Sequence, residues 1–234
     1  MPTPALRLIL ASASPRRREL LAHLGVPFSI ETSSVDEDAA DDGDPAALAV
    51  TLAELKAADV AGRWRDASVI ALGADTVVVH DPWGEPRALG KPGGTADAHR
   101  MLRLLSGAVH VVCTGVAAAW TRAGERTARV RSLLSVTEVA FRALSDEEIA
   151  AYAATGEPED KAGAYAIQGG AAAFVDWIRG DYWNVIGLGL ADARRLLQPW
   201  FPAATAPPPA PSLSFPLLSG PARPPRRVSV PPRR

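Results

Sequence analysis

The chain has 234 residues, of which 47% are hydrophobic and 22% charged, with a formal net charge of −1. That balance excludes collagen-like, coiled-coil and wholly disordered chains, and at this length roughly 70% of the unfolded surface can be buried without a covalent staple. The lone cysteine, Cys113, points to a reducing, cytoplasmic compartment, and four histidines without metal-ligand spacing argue against structural zinc.

In chain order, Leu6–Ala11 reads as a short buried strand. The basic cluster follows this apolar run, so the start reads as a mature N-terminus and not as a secretory leader. Ser14 and Pro15 cap and open a helix reaching Leu24. Phe28–Thr32 is a further strand, and the acidic run VDEDAADDGD, residues 35–44, reads as a loop. Asp44 and Pro45 then open a helix to about Gly62. Val69–Gly73 and Val77–His80 are expected as two strands parted by Ala74–Asp75–Thr76. A helix spans Thr95 to Leu105, and Val109–Trp120 with Val130–Phe141 forms a long antiparallel hairpin turning near Ala123–Gly124. Ser145 and Glu148 make a capping box for a helix closed by Gly156. Strand-like AYAIQG and AAAFVDWI come next, then a last helix from about Leu190 to Gln198.

Alternating helices and strands with hairpins mixed in predict an α/β domain over residues 1–202, a mixed sheet flanked by helices. Residues 203–234 hold ten prolines and five arginines and no acid, which predicts a disordered tail. No apolar run reaches the 18 or so residues of a membrane span, so no membrane partner is expected.

Four features carry chemistry. In ASASPRRRELL, Arg16, Arg17 and Arg18 fill the first turn of a helix, where its dipole already concentrates positive charge. Arginines belong there when an anion completes the site, because backbone N–H groups and guanidinium forks converge on one phosphate. Second, the chain uses 22 arginines but only three lysines, Lys56, Lys91 and Lys161. On a wheel of about 100° per residue Lys56 falls inside the apolar arc set by Leu48, Ala49, Leu52 and Val60, where an ammonium needs a partner or a ligand. Third, Asp75 closes a buried apolar strand in VIALGADTVVV. A carboxylate there is costly to ionise unless it meets a metal, a cation or several donors, and it could take a proton from water. The run GEPEDKAGAYAIQG gathers acid, base, amide and glycines, with Gln168 able to read a base edge through its paired donor and acceptor. GEPRALGKP mimics a phosphate-cradling loop but has the wrong spacing and a proline after Lys91.

LASASPRRRELL, the Asp36–Glu37 pair, LAELKA, GADTVVV, LGKP, LSGxxHxVxTGV and GEPEDKAGAYAIQG, in that order across residues 8–190, resemble the Maf family of nucleoside triphosphate pyrophosphatases. The resemblance implies a mixed α/β fold akin to inosine-triphosphatase-like enzymes, and hydrolysis of a nucleoside triphosphate to the monophosphate and pyrophosphate with a divalent metal, Mg²⁺ or Mn²⁺. Carried over motif by motif, Asp75 is the catalytic carboxylate and proton acceptor, and shares the metal with Glu37. Lys56 and Lys91 complete the charged wall. Ser12, Arg16 and Arg17 meet the triphosphate, and Lys161 joins the substrate-binding set. Arg16, Thr76 and Gln168 match the branch acting on dTTP and UTP, not the branch acting on 7-methyl-GTP. Ala166 and Gly189 depart from the family pattern, which has glycine and proline there. The nucleotide is the expected partner, with no stable nucleic-acid partner, and a homodimer is left open. The competing reading is a nucleotide-binding regulator that arrests cell division without needing hydrolysis.

Overall fold

A computed structural model of the chain describes residues 6–37, 43–64, 69–81, 86–121 and 128–202. The centre of the acidic run (38–42), the hairpin turn near Ala123–Gly124 and the tail (203–234) lie outside the described residues. Strand β1 (Arg7–Leu10) leads into helix α1 (Pro15–Ala22), capped by the Ser14 side chain. Strand β2 (Phe28–Ile30) precedes α2 (Pro45–Gly62), whose first turn is closed by Asp44. Then come β3 (Val69–His80), β4 (Arg87–Leu89), α3 (Thr95–Leu105) and the hairpin β5 (Val109–Trp120) and β6 (Arg129–Phe141). Helix α4 (Asp146–Ala153) carries the capping box, with both Ser145 and Glu148 bonds made. Two 3₁₀ turns, Ala162–Ala164 and Gly170–Phe174, lead to β7 (Val175–Arg179), α5 (Tyr182–Ile186) and α6 (Leu190–Leu197).

The strands form one seven-stranded mixed sheet in the order β2-β1-β3-β5-β6-β7, with β4 pairing β3. Side chains alternate across it, as strand geometry requires. Leu8, Leu10, Ile70, Leu72, Val112 and Val116 point into a large core under α1, α3, α4 and α6, while Ile9, Ala71, Ala117 and Ala119 point to α2 on the opposite face. Helix α2 approaches the sheet closely where alanines meet glycines. Ala49, Ala53 and Ala57 recur every four residues along it, all fully buried. They meet glycines: a Cβ at Gly73 would come within 2.8 Å of Ala57 N, and one at Gly115 within 2.7 Å of Val50 Cα.

Three expectations are corrected. The segment 69–80 is one strand, not two, because Ala74, Asp75 and Thr76 keep their pairing to Val116, Gly115 and Thr114. AYAIQG is no strand: Gly163 and Ala164, at the end of the 3₁₀ turn, take positive φ of 68° and 60°, which breaks the extended run, and the residues that follow form a loop. AAAFVDWI is half 3₁₀ turn and half strand.

What positions the site is a gap in the sheet. Strand β3 pairs in parallel with β1 as far as Leu72 and antiparallel with β4 only from Val78. Between them, residues 73–77 have β5 on one side and no strand on the other.

Candidate active site

The gap opens on a cavity of about 720 Å³, and every site residue expected from the sequence lines it: Ser12, Arg16, Arg17, Glu37, Lys56, Asp75, Thr76, Lys91, Lys161 and Gln168. Residues more than 150 positions apart in the chain therefore share one wall. Strand alternation splits their duties, since Asp75 faces α2 and Thr76 faces α1.

On the α2 side, Lys56 Nζ lies 2.6 Å from Asp75 Oδ1 and 2.6 Å from Glu37 Oε1. Its side chain is only 8% exposed and that of Asp75 11%. Burial of either charge alone would be costly; together they neutralise each other at hydrogen-bond distance. Lys91 stands at the open rim, 3.9 Å from Glu37 Oε2. Desolvation alone would raise the Glu37 carboxyl. The hydrogen bond from Lys56 and the charges of Lys56, Lys91 and Arg17 outweigh it, and hold the group below its ordinary value.

On the other side, Arg17 uses its fork. Nε donates to Gly187 O at 2.8 Å and one terminal nitrogen to Thr76 Oγ1 at 3.0 Å. Burial lowers the pKa of this guanidinium, against the opposite pull of Asp75. Thr76 in turn meets Thr114 Oγ1 at 3.0 Å, and Thr114 donates to the Asn184 carbonyl. Asn184, fully buried, ties α5 to the hairpin through Val112 O and Thr137 Oγ1, both at 2.9 Å. Arg16 is half-buried and 3.9 Å from Asp160, which also pairs with Lys161. Ser12 accepts from Ser14 N at 3.2 Å, holding the turn into α1.

Thr114 and Asn184 were not found from the sequence. A hydroxyl inside VVCTGVAAA and an amide inside the apolar run after Asp181–Tyr182 are the signals that a polar network crosses the core there. Gln168 lies on a loop, not a strand, and remains exposed at the cavity mouth. Ala166 lines the same wall.

Five basic and three acidic side chains line the cavity, a surplus of two positive charges. The basic groups can grip a polyanion from several sides, and the Asp75 carboxylate can accept a proton at its centre. Among the described residues no three His, Cys, Asp or Glu side chains form a metal cage. No helix of the described residues is long and apolar enough to cross a membrane.

Fold and cavity together define a mixed-sheet α/β protein with a net-positive cleft at a break in its central strand. The family model for Maf-like proteins matches residues 7–200, and the chain belongs to that family. It is 52% identical over 192 residues to the dTTP/UTP pyrophosphatase of Moorella thermoacetica, covering 82% of this chain and 93% of that protein. It is 48% identical over 195 residues to the dTTP/UTP pyrophosphatase of Alkaliphilus metalliredigens, covering 83% and 96%. A third protein so named, from Thermococcus gammatolerans, is 49% identical over 180 residues, covering 77% of this chain and 89% of its own length.

Proposed function

We propose that the chain is a nucleoside triphosphate pyrophosphatase that hydrolyses dTTP and UTP to the monophosphate and pyrophosphate. The observation that carries this reading is the buried Lys56 held between Glu37 and Asp75, on a wall it shares with Arg16, Arg17, Lys91 and Lys161. Triphosphate hydrolysis asks for placement and charge neutralisation more than for covalent help. A triphosphate of about four negative charges, less two for a divalent cation, balances the cavity's surplus. The names of the relatives support the same substrates.

In this reading Arg16, Arg17 and Ser12 at the start of α1 take the phosphate tail, with Lys91 and Lys161 closing from the rim. Asp75 takes the proton of the water that attacks the α-phosphorus, and Lys56 holds it in line. Glu37 and Asp75 suit a cation that shares the phosphates: two carboxylates converge there, and magnesium is commonly bound by one or two carboxylates with phosphate and water. Bound there, Mg²⁺ or Mn²⁺ would supply neutralisation of phosphate charge. Thr76 and Gln168 face the nucleoside, and the soluble nucleotide pool of the cytoplasm is the natural source of substrate.

The test is pyrophosphate release from dTTP and UTP with Mg²⁺ and with chelator. Asp75→Asn keeps the fold, because the amide is nearly isosteric, and loses turnover by a factor of 10² or more. Undiminished release from that variant would remove Asp75 from the chemistry. Release of equal rate in chelator would remove the metal.

A further inference from the structure

The loop that presents Gln168 is not held by strand pairing, so something else must fix it. Three bonds do. Tyr165 OH meets His110 Nε2 at 2.9 Å in the core. Ala166 N–H donates to Tyr152 OH at 3.0 Å. Gly170 N–H donates to both Glu157 carboxylate oxygens, at 3.1 and 3.2 Å. The last two are linked, since Tyr152 OH donates to Glu157 Oε1 at 2.8 Å. Burial pushes the Tyr152 phenol above its ordinary value, so it remains a donor throughout the working range of pH.

Glu157 thus closes a clamp on both flanks of Ile167–Gln168–Gly169. The loop lies flat against it: a Cβ at Gly169 would come within 2.5 Å of Glu157 Oε2. One carboxylate takes three contacts, which neither an alanine nor a hydrocarbon could. The same residue's carbonyl accepts from Lys161 Nζ at 3.3 Å, so loop and lysine share one anchor. Glu157 itself does not line the cavity.

We infer that Glu157, through Tyr152, is the positioning residue that sets nucleobase selectivity by fixing the loop bearing Gln168. This rests on the pyrophosphatase reading, which it deepens. A hydrogen-bonding side chain discriminates between bases only while its donor and acceptor stay aimed, and loosening its support blunts the preference.

The experiment compares kcat/KM for UTP and GTP in the wild type, Glu157→Ala, Glu157→Gln and Tyr152→Phe. Inhibition by inorganic pyrophosphate, which has no base, and amide exchange at Ala166 and Gly170 are followed alongside. In Glu157→Ala the preference for UTP falls about tenfold, mainly through the KM of UTP, with kcat within about twofold and pyrophosphate inhibition unchanged. Exchange at Ala166 and Gly170 accelerates. Glu157→Gln keeps one acceptor oxygen and recovers most of the preference. Tyr152→Phe, which removes one hydroxyl, lowers it by a smaller factor and carries the test if Glu157→Ala does not fold.

An unchanged preference in a folded variant overturns the inference. So does an equal loss toward UTP, GTP and pyrophosphate, which marks a merely structural role. Absence of turnover in the wild type overturns the pyrophosphatase reading instead, and the selectivity role falls with it.

Discussion

Gly115→Ala tests whether the spacing of α2 from the sheet is what sets the site. A methyl group built on Gly115 lies 2.5 Å from the Ala49 carbonyl carbon and 2.7 Å from Val50 Cα, where ordinary contact starts near 3.4 Å. Both neighbours are helix backbone, so no side chain can swing aside. Helix α2 has to retreat by roughly an ångström, and overpacking of this kind costs about 1–3 kcal/mol. The same retreat carries Lys56 Nζ from 2.6 Å toward the limit of hydrogen bonding with Asp75. Misplacement of that size costs on the order of a hundredfold in rate. Urea denaturation reads the first effect and pyrophosphate release the second. Gly62→Ala, at the end of the same helix with nothing within 4 Å, is the control and leaves both unchanged or slightly improved. If Gly115→Ala matches the wild type in both assays, close packing of α2 does not determine the geometry of the Lys56–Asp75 pair.

Lys56→Met strands the buried Asp75 carboxylate beside Glu37, so stability in urea falls by about 3 kcal/mol and turnover is lost. Arg17→Lys keeps the charge but cannot reach both Gly187 O and Thr76 Oγ1, so the KM for dTTP rises about tenfold while the melting temperature moves little. His110 is held down to about 3 by burial and then by His80, so it stays neutral in the fold while the unfolded chain takes up a proton below about 6.5. Its contribution is complete above that pH and drains away as pH falls, by about 2 kcal/mol between pH 6.5 and 5; His110→Gln flattens that limb of the stability profile.

Helices were the most legible part of the chain, because their ends are chemical. Ser14–Pro15, Asp44–Pro45 and Ser145 with Glu148 each mark a start that the structure places at the same residue. The strand expectations failed where a polar group has a partner far away in sequence. Asp75 looked like a strand end because a lone carboxylate breaks an apolar run; Lys56, 19 residues earlier, neutralises it and lets the strand continue. AYAIQG reads like a strand, yet the Ala166 N–H is spent on the Tyr152 hydroxyl, not on a ladder. Strand β4 has three residues and α5 five, too short for periodicity to reveal.

The motifs that made the site legible mix two constraints that only the fold separates. In LAELKA, Lys56 belongs to the cavity, while Ala53 and Ala57 allow the helix to lie near Gly73. In GADT, Gly73 meets that helix, Asp75 meets the lysine, and Thr76 turns to Arg17 on the far face. TGV repeats the pattern, with Gly115 under Ala49 and Thr114 bonded to Thr76. A central strand flanked by partners on both edges could not serve both faces at one opening. Because the pairing of β3 with β1 ends at Leu72 and its pairing with β4 begins at Val78, the five residues between them deliver a carboxylate from one side of the sheet and orient a guanidinium from the other. The site is therefore as much a property of where β3 lacks a neighbour as of the charged residues themselves.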